Sequence, residues 1–224
     1  AISMAIDRDL LAEKIWGNSM FPAYSFVPPG MTGYESRTFD YAAMSQLDRE
    51  EEARKILTEA GYGPGKQLEM EIRFNTSDNH KNTAVAIQSM LKPLGVEVTL
   101  LNTDTKTHYG HLEQKGDFDV ARAGWIADYR DPETFLGLGQ KANGNNYSGY
   151  SNDELESLMK QASTEADPAK RYKLLSDAEA IYIARDHAQI PLLFYSYHNL
   201  VSPKLEGFED NVMDVHPTRF IRKQ

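Results

Sequence analysis

The chain has 224 residues, 41% of them hydrophobic and 25% charged, with 24 basic against 33 acidic side chains and a net charge of −9. That balance argues against nucleic acid or an anionic membrane surface as the main partner, and no stretch approaches the roughly 18 consecutive apolar residues of a membrane-spanning helix. Cysteine is absent, which removes disulfides, thiol nucleophiles and zinc–thiolate sites.

The chain opens on Ala1 and runs directly into a helical pattern (Ile2, Ile6, Leu10). A start inside a larger domain is therefore expected, and a missing leader carries no weight. A helix is predicted over Ala5–Trp16, with Leu10, Leu11 and Ile15 on one face. Met20 to Gly33 holds Pro22, Pro28, Pro29, Gly30 and Gly33, so it reads as a loop, ordered by Phe21, Tyr24, Phe26 and Val27. Asp48 is the expected N-cap of a helix over Arg49–Ala60, closed by Gly61.

The middle of the chain is the most regular. Leu68, Met70, Ile72 and Phe74 alternate as a strand, and the turn residues Asn75-Thr76-Ser77-Asp78 follow. A helix over His80–Leu94 ends at Gly95, and Val96, Val98 and Leu100 form a second strand. A helix over Thr105–Gln114 leads to a third strand through Phe118, Val120 and Ala123. Strand-helix-strand-helix-strand predicts parallel strands joined by right-handed crossovers. Residues 131–150 read as a loop with a short helix near Pro132–Leu138. Ser151-Asn152-Asp153-Glu154 has capping-box form and starts a helix to Ser163. Asp167-Pro168 starts another, to Arg185. Ile190 to Tyr197 is β-like, and the pattern weakens after Asn199.

Asp128 stands out among possible functional residues. It lies beyond the third parallel strand, where open α/β sheets place ligands, between two aromatics, Trp125 and Tyr129, that can form a wall. A carboxylate there can accept from an ammonium group; the plainer reading is a loop Asp capping the helix after Pro132. Arg122 on the same strand can clasp a carboxylate, or serve as an ordinary salt-bridged Arg. His80, at a helix start after a strand, is placed for an anionic ligand, though a surface His suits the position as well. His108 and His111 share a helix face as two metal ligands would, but no third ligand accompanies them, and no metal site is expected. The hydrolase, nucleotide-loop and zinc-protease signatures are missing, and Gly137-Leu138-Gly139 does not continue into a dinucleotide fingerprint. Glu50–Glu52 reads as a solvated helix start.

The order Ala5-Ile6-Asp7-Arg8, Pro22-Ala23, Val27-Pro28-Pro29-Gly30, Glu52-Ala53-Arg54-Lys55-Ile56-Leu57 and Ala60-Gly61-Tyr62 resembles the extracytoplasmic dipeptide and oligopeptide-binding proteins of ABC importers. Asn75-Thr76-Ser77-Asp78 with His80-Lys81, and the run Phe118 to Tyr129 with Asp131-Pro132, resemble the oligopeptide branch in particular. The resemblance implies an α/β, periplasmic-binding-protein-like lobe with a βαβαβ core over residues 1–195. Residues 196–224 would be a tail returning to a first lobe that is otherwise absent. It further implies a periplasmic or extracytoplasmic carrier without catalytic residues, metal or cofactor, which takes short peptides and hands them to a membrane permease. Nucleic acid and membrane insertion have no place in that scheme.

Position by position, the resemblance gives Asp128 the peptide's α-ammonium, Arg122 and His80 the carboxylates of peptides of different length, and Trp125 and Ile126 side-chain pockets, beside the wall already read at Tyr129. Thr105 departs from the pattern, standing where relatives carry a tryptophan, so side-chain preference does not transfer. Alternatives are a murein peptide, a nickel chelate or haem as ligand, or, in another class, an α/β hydrolase or metal enzyme built on Asp128, His80 or the His108/His111 pair.

Overall fold

A computed structural model of the chain describes residues 1–211 and 213–224. The helix expected over Ala5–Trp16 is divided. α1 (Ile2–Ala5) stops at Ile6, which is extended at φ −80°, ψ 113°, and α2 (Arg8–Leu10) starts from Asp7, whose carboxylate accepts from the Leu10 amide at 2.9 Å. α2 continues as a π-helical turn over Leu11–Ile15. The break serves Arg8, whose side chain is fully buried and has no carboxylate beside it among the described residues. Its guanidinium donates to the carbonyls of Ser3, Ile6 and Pro191. A continuous helix would engage the Ser3 carbonyl in its own ladder, so the buried cation and the break explain each other.

After β1 (Met20–Pro22), the loop is ordered as expected, with Ala23, Ser25 and Val27 buried. α3 (Gln46–Glu59) starts three residues earlier than a cap at Asp48 requires. Its N-cap is Ser45, whose hydroxyl accepts from the Asp48 amide at 3.2 Å and donates to the Asp48 carboxylate at 2.7 Å. Asp48 thus fills the last position of the box, three residues after the cap, rather than its first.

β2 (Leu68–Asn75), α4 (Asp78–Leu91), β3 (Val96–Thr103), α5 (Thr105–Glu113) and β4 (Val120–Ala121) follow in the predicted alternation. A 3-10 turn, Lys92–Leu94, extends α4 to Gly95, which takes the left-handed conformation (φ 77°) that ends the helix. All strand pairs in the sheet are parallel, in the order β3-β2-β4, with Leu68 opposite Val96, Asn75 opposite Thr103 and Ile72 opposite Val120. β4 is shorter than the run through Phe118, Val120 and Ala123, and at its amino end the Asp119 carboxylate takes the Glu71 amide at 2.8 Å, where a ladder carbonyl would otherwise bind. Ile72, Phe74, Val96 and Val98 pack with Ala84, Ile87 and Leu91 of α4 and with Ala53 and Leu57 of α3.

α6 (Glu133–Leu136), α7 (Asp153–Thr164) and α8 (Pro168–Glu179) build a second core with the loop from Val27 to Tyr41. Asn152, not Ser151, caps α7, accepting from the amides of Glu154 and Leu155. Asp167 caps α8 as expected, and a π-helical stretch carries that helix on to Arg185. Glu179 at the end of α8 is fully buried and joins this core to the loop. Its carboxylate accepts from the amides of Phe26, Val27 and Arg37 and the hydroxyl of Tyr34, all at 2.7–2.9 Å. Burial pushes its carboxyl above the usual range against those four donors. β5 (Leu193–Tyr195) then pairs antiparallel with β1, Met20 opposite Tyr195. β6 (Leu205–Glu206) and β7 (Arg222–Lys223) close a small hairpin in the final segment, where Leu200, Val215 and Phe220 are exposed.

Candidate functional site

The carboxyl end of the sheet holds the first group of candidates. Asn75 is the last residue of β2, and Arg122 directly follows β4 with its amide donating to the Arg73 carbonyl at 2.8 Å. The Arg122 guanidinium donates to Tyr109 Oη at 2.7 Å, Tyr195 Oη at 2.9 Å and Asn75 Oδ1 at 3.4 Å. All three acceptors are neutral, so the charge is oriented but not neutralised. His80, in the first turn of α4, donates from Nδ1 to the Asn75 carbonyl at 3.4 Å, which makes Nε2 the acceptor of the neutral ring. Burial, and then the Arg122 charge, lower its pKa. Trp16 closes this corner. Its indole donates to Thr83 Oγ1 at 3.1 Å, its ring meets Tyr195 edge-on at 5.5 Å, and His80 lies 6.4 Å away.

The second group sits in the turn that leads to α6. Asp128 lies seven residues beyond β4, farther from the strand than its position beside Trp125 suggests. Its side chain is exposed, and its carboxylate makes neither a hydrogen bond nor an ion pair among the described residues. The backbone is nevertheless held: the Asp128 amide donates to Thr134 Oγ1 at 3.2 Å, and the Trp125 indole donates to the same oxygen at 3.2 Å. Trp125 is half-buried against the second core, whereas Ile126 is 72% and Tyr129 48% exposed. The two exposed side chains can meet a ligand without first leaving other partners.

The neighbouring carboxylates of the turn are already paired. Asp131 caps the Glu133 amide at 2.9 Å and receives both terminal nitrogens of Arg171, at 2.6 and 2.9 Å. Arg171 also reaches Glu133 at 3.2 Å. Arg130 donates to the Gly30 carbonyl and Thr32 hydroxyl at 3.2 Å each. The Asp expected to cap the short helix is therefore Asp131, not Asp128.

Arg122 and His80 are brought together through Asn75, and Asp128 and Trp125 through Thr134. The supporting residues Asn75, Tyr109, Thr134 and Tyr195 carry no local sequence signature as site residues, because each acts through partners that only the fold brings to it. His108 and His111 are both engaged by carbonyls. His108 Nε2 donates to Arg122 O at 2.7 Å and His111 Nε2 to Asp117 O at 2.9 Å. Thus α5 holds Arg122 twice, its backbone through His108 and its guanidinium through Tyr109.

The parallel sheet thus carries at its carboxyl end a guanidinium with neutral partners only, and on the turn beyond an unpaired carboxylate, among the described residues. The family described as bacterial extracellular solute-binding proteins, family 5 (middle region), matches residues 1–147, and the chain belongs to that family. It is 38% identical over 213 residues to the periplasmic murein peptide-binding protein MppA of Escherichia coli K12, covering 94% of this chain and 39% of that protein. It is 37% identical over 209 residues to the periplasmic oligopeptide-binding protein OppA of Salmonella typhimurium, covering 93% and 38%.

Among solved structures, the unliganded open form of MppA superposes with a TM-score of 0.87 at 36% identity, over 99% of this chain and 43% of that one. Haemophilus influenzae OppA in complex with RPPGFSPFR superposes with a TM-score of 0.81 at 30% identity, over 99% and 44%. The fold is that of part of a periplasmic binding protein. The chain spans about two fifths of the length of these curated relatives.

Proposed function

We propose that these 224 residues form one lobe of a two-lobed, non-catalytic carrier that captures short peptides outside the cytoplasmic membrane for the permease of an ABC importer. Residues 1–195 form the lobe, and residues 196–224 return to a facing lobe. Asp128 takes the ligand's α-ammonium, and Arg122 with His80 takes its carboxylate. Trp125, Ile126 and Tyr129 line side-chain space, and main-chain hydrogen bonds add affinity without reading sequence. Hinge closure of the two lobes buries the peptide.

One observation carries this reading: Arg122 and Asp128, six residues apart, present opposite charges that no ion pair consumes among the described residues. Six residues of chain span at most about 20 Å, and a peptide extends about 3.3–3.6 Å per residue. The bound on their backbone separation suits a short peptide, with its two terminal charges, between them. The likeness to a murein peptide-binding protein supports a second ligand of the same charge type, a peptide of cell-wall origin with a free amine.

Mass spectrometry of ligands that co-purify with the full natural-length chain tests the assignment. Short peptides with free α-amino groups are expected. A bound population lacking a primary amine would overturn it.

A further inference from the structure

We infer that Thr134 is a positioning residue that sets the amine end of the proposed site, by holding the Asp128 backbone and the Trp125 ring on a single buried oxygen. The inference rests on the ligand reading above and adds a residue that touches no ligand in it.

Thr134 is 6% exposed and lies in α6 between Glu133 and the buried Phe135 and Leu136. A hydroxyl oxygen has two acceptor lone pairs. Here the Trp125 indole N–H and the Asp128 amide N–H, each 3.2 Å away, use both. The helix that carries this oxygen is itself fixed at its start. Asp131 caps the Glu133 amide and is gripped through both oxygens by Arg171 of α8. A chain of contacts thus runs from α8 through Asp131 and Thr134 to the two residues that would meet the ligand's amine.

The consequence is preorganisation. An exposed aspartate on an irregular turn loses conformational freedom when it engages a ligand, and that loss subtracts from affinity. Anchoring the Asp128 amide restricts the carboxylate before a ligand arrives. Sharing the anchor with Trp125 couples the aromatic wall to the charge, so neither moves alone. Valine matches threonine in shape but offers no acceptor, which would leave both N–H groups unsatisfied. Serine keeps the oxygen.

In the full natural-length protein, Thr134→Val is expected to weaken a free-amine peptide about tenfold and its N-acetylated form less than about twofold. It should also move the Trp125 indole resonance, distinguished from that of Trp16 by Trp16→Phe. Thr134→Ser should restore both readouts. The inference is overturned if Thr134→Val leaves the free-amine to N-acetyl ratio at its wild-type value while Asp128→Asn abolishes it. If Asp128→Asn leaves the ratio unchanged as well, the ammonium assignment fails, and the role of Thr134 with it.

A wild-type measurement covers the case in which the valine variant does not fold. In the ligand-free protein, hydrogen exchange at the Asp128 amide and the Trp125 indole should be at least about tenfold slower than at the amides of Ile126 and Tyr129. Equal rates would overturn the inference.

Discussion

At Arg122 the chain is held by regular structure; at Asp128, six residues later, it is held by side chains. Arg122 follows a parallel strand in register with β2, and α5 steadies its carbonyl and its guanidinium from adjacent residues, His108 and Tyr109. Asp128 belongs to no element. Its position depends on Thr134, on the Asp131–Arg171 pair and on Arg130 reaching back to the loop at Gly30 and Thr32. The two ends of one proposed ligand site thus have different origins: one inherits its geometry from the sheet, and the other is assembled from long-range polar contacts. A site built this way can change ligand length or type at the turn without disturbing the sheet.

Removing a support of the turn gives the largest expected effect. Glu179 binds four donors of the loop that Arg130 clasps. Glu179→Ala leaves the amide of Val27 and the hydroxyl of Tyr34 buried without partners and frees the amides of the less buried Phe26 and Arg37, so it should cost at least about 2 kcal/mol of stability, since each buried orphaned group costs about 1–3 kcal/mol. Chemical denaturation measures it. A loss below about 1 kcal/mol would mean that the loop is held by apolar packing alone.

The strand-end corner is probed by Arg122→Gln. Nothing in it pairs with the guanidinium charge, so the fold should tolerate the change within about 1 kcal/mol. Affinity for a peptide with a free carboxylate should fall about tenfold to a hundredfold, while the amidated peptide is nearly unaffected. Equal losses for both peptides would place the carboxylate elsewhere.

His80 gives the smallest effect and one of defined sign. Its pKa lies below the usual histidine value of 6.5, chiefly through burial and then through Arg122. In the free protein the neutral ring is favoured, so its contribution to stability is present above the ordinary value and lost as pH falls through the lowered one. A bound carboxylate reverses the preference and drives proton uptake. Affinity should therefore rise severalfold as pH falls toward the lowered pKa of the free protein, and His80→Gln should flatten that slope. A slope unchanged in the variant would remove His80 from the carboxylate end.

The same contrast explains what the sequence made legible. The parallel core was visible because alternation at Leu68, Met70, Ile72 and Phe74, the stop at Gly95 and the second alternation from Val96 are local signals. Arg122 and His80 are candidates in the sequence because strand and helix ends locate them. The division at Ile6–Asp7 was hidden, since it answers to the buried Arg8, whose carbonyl partners include Pro191, 183 positions away. The shortened third strand was hidden too, as was the Asp119 carboxylate that replaces a backbone acceptor at its amino end. Asp128 stood out as a residue between two aromatics, but its anchor did not. Thr134 reads as one more polar residue in a short helix until the fold brings Trp125 and Asp128 onto it.

The most direct test of the central claim is calorimetry on the full natural-length protein, wild type and Asp128→Asn, with one short peptide and its N-acetylated form. The pairing of Asp128 with the ligand's ammonium predicts that acetylation costs the wild type about 3 kcal/mol or more, and that the variant loses a similar amount for the free peptide. The two losses must not add when combined, because they remove the same interaction. Additive losses, or a variant that still discriminates against the acetylated peptide, would contradict it.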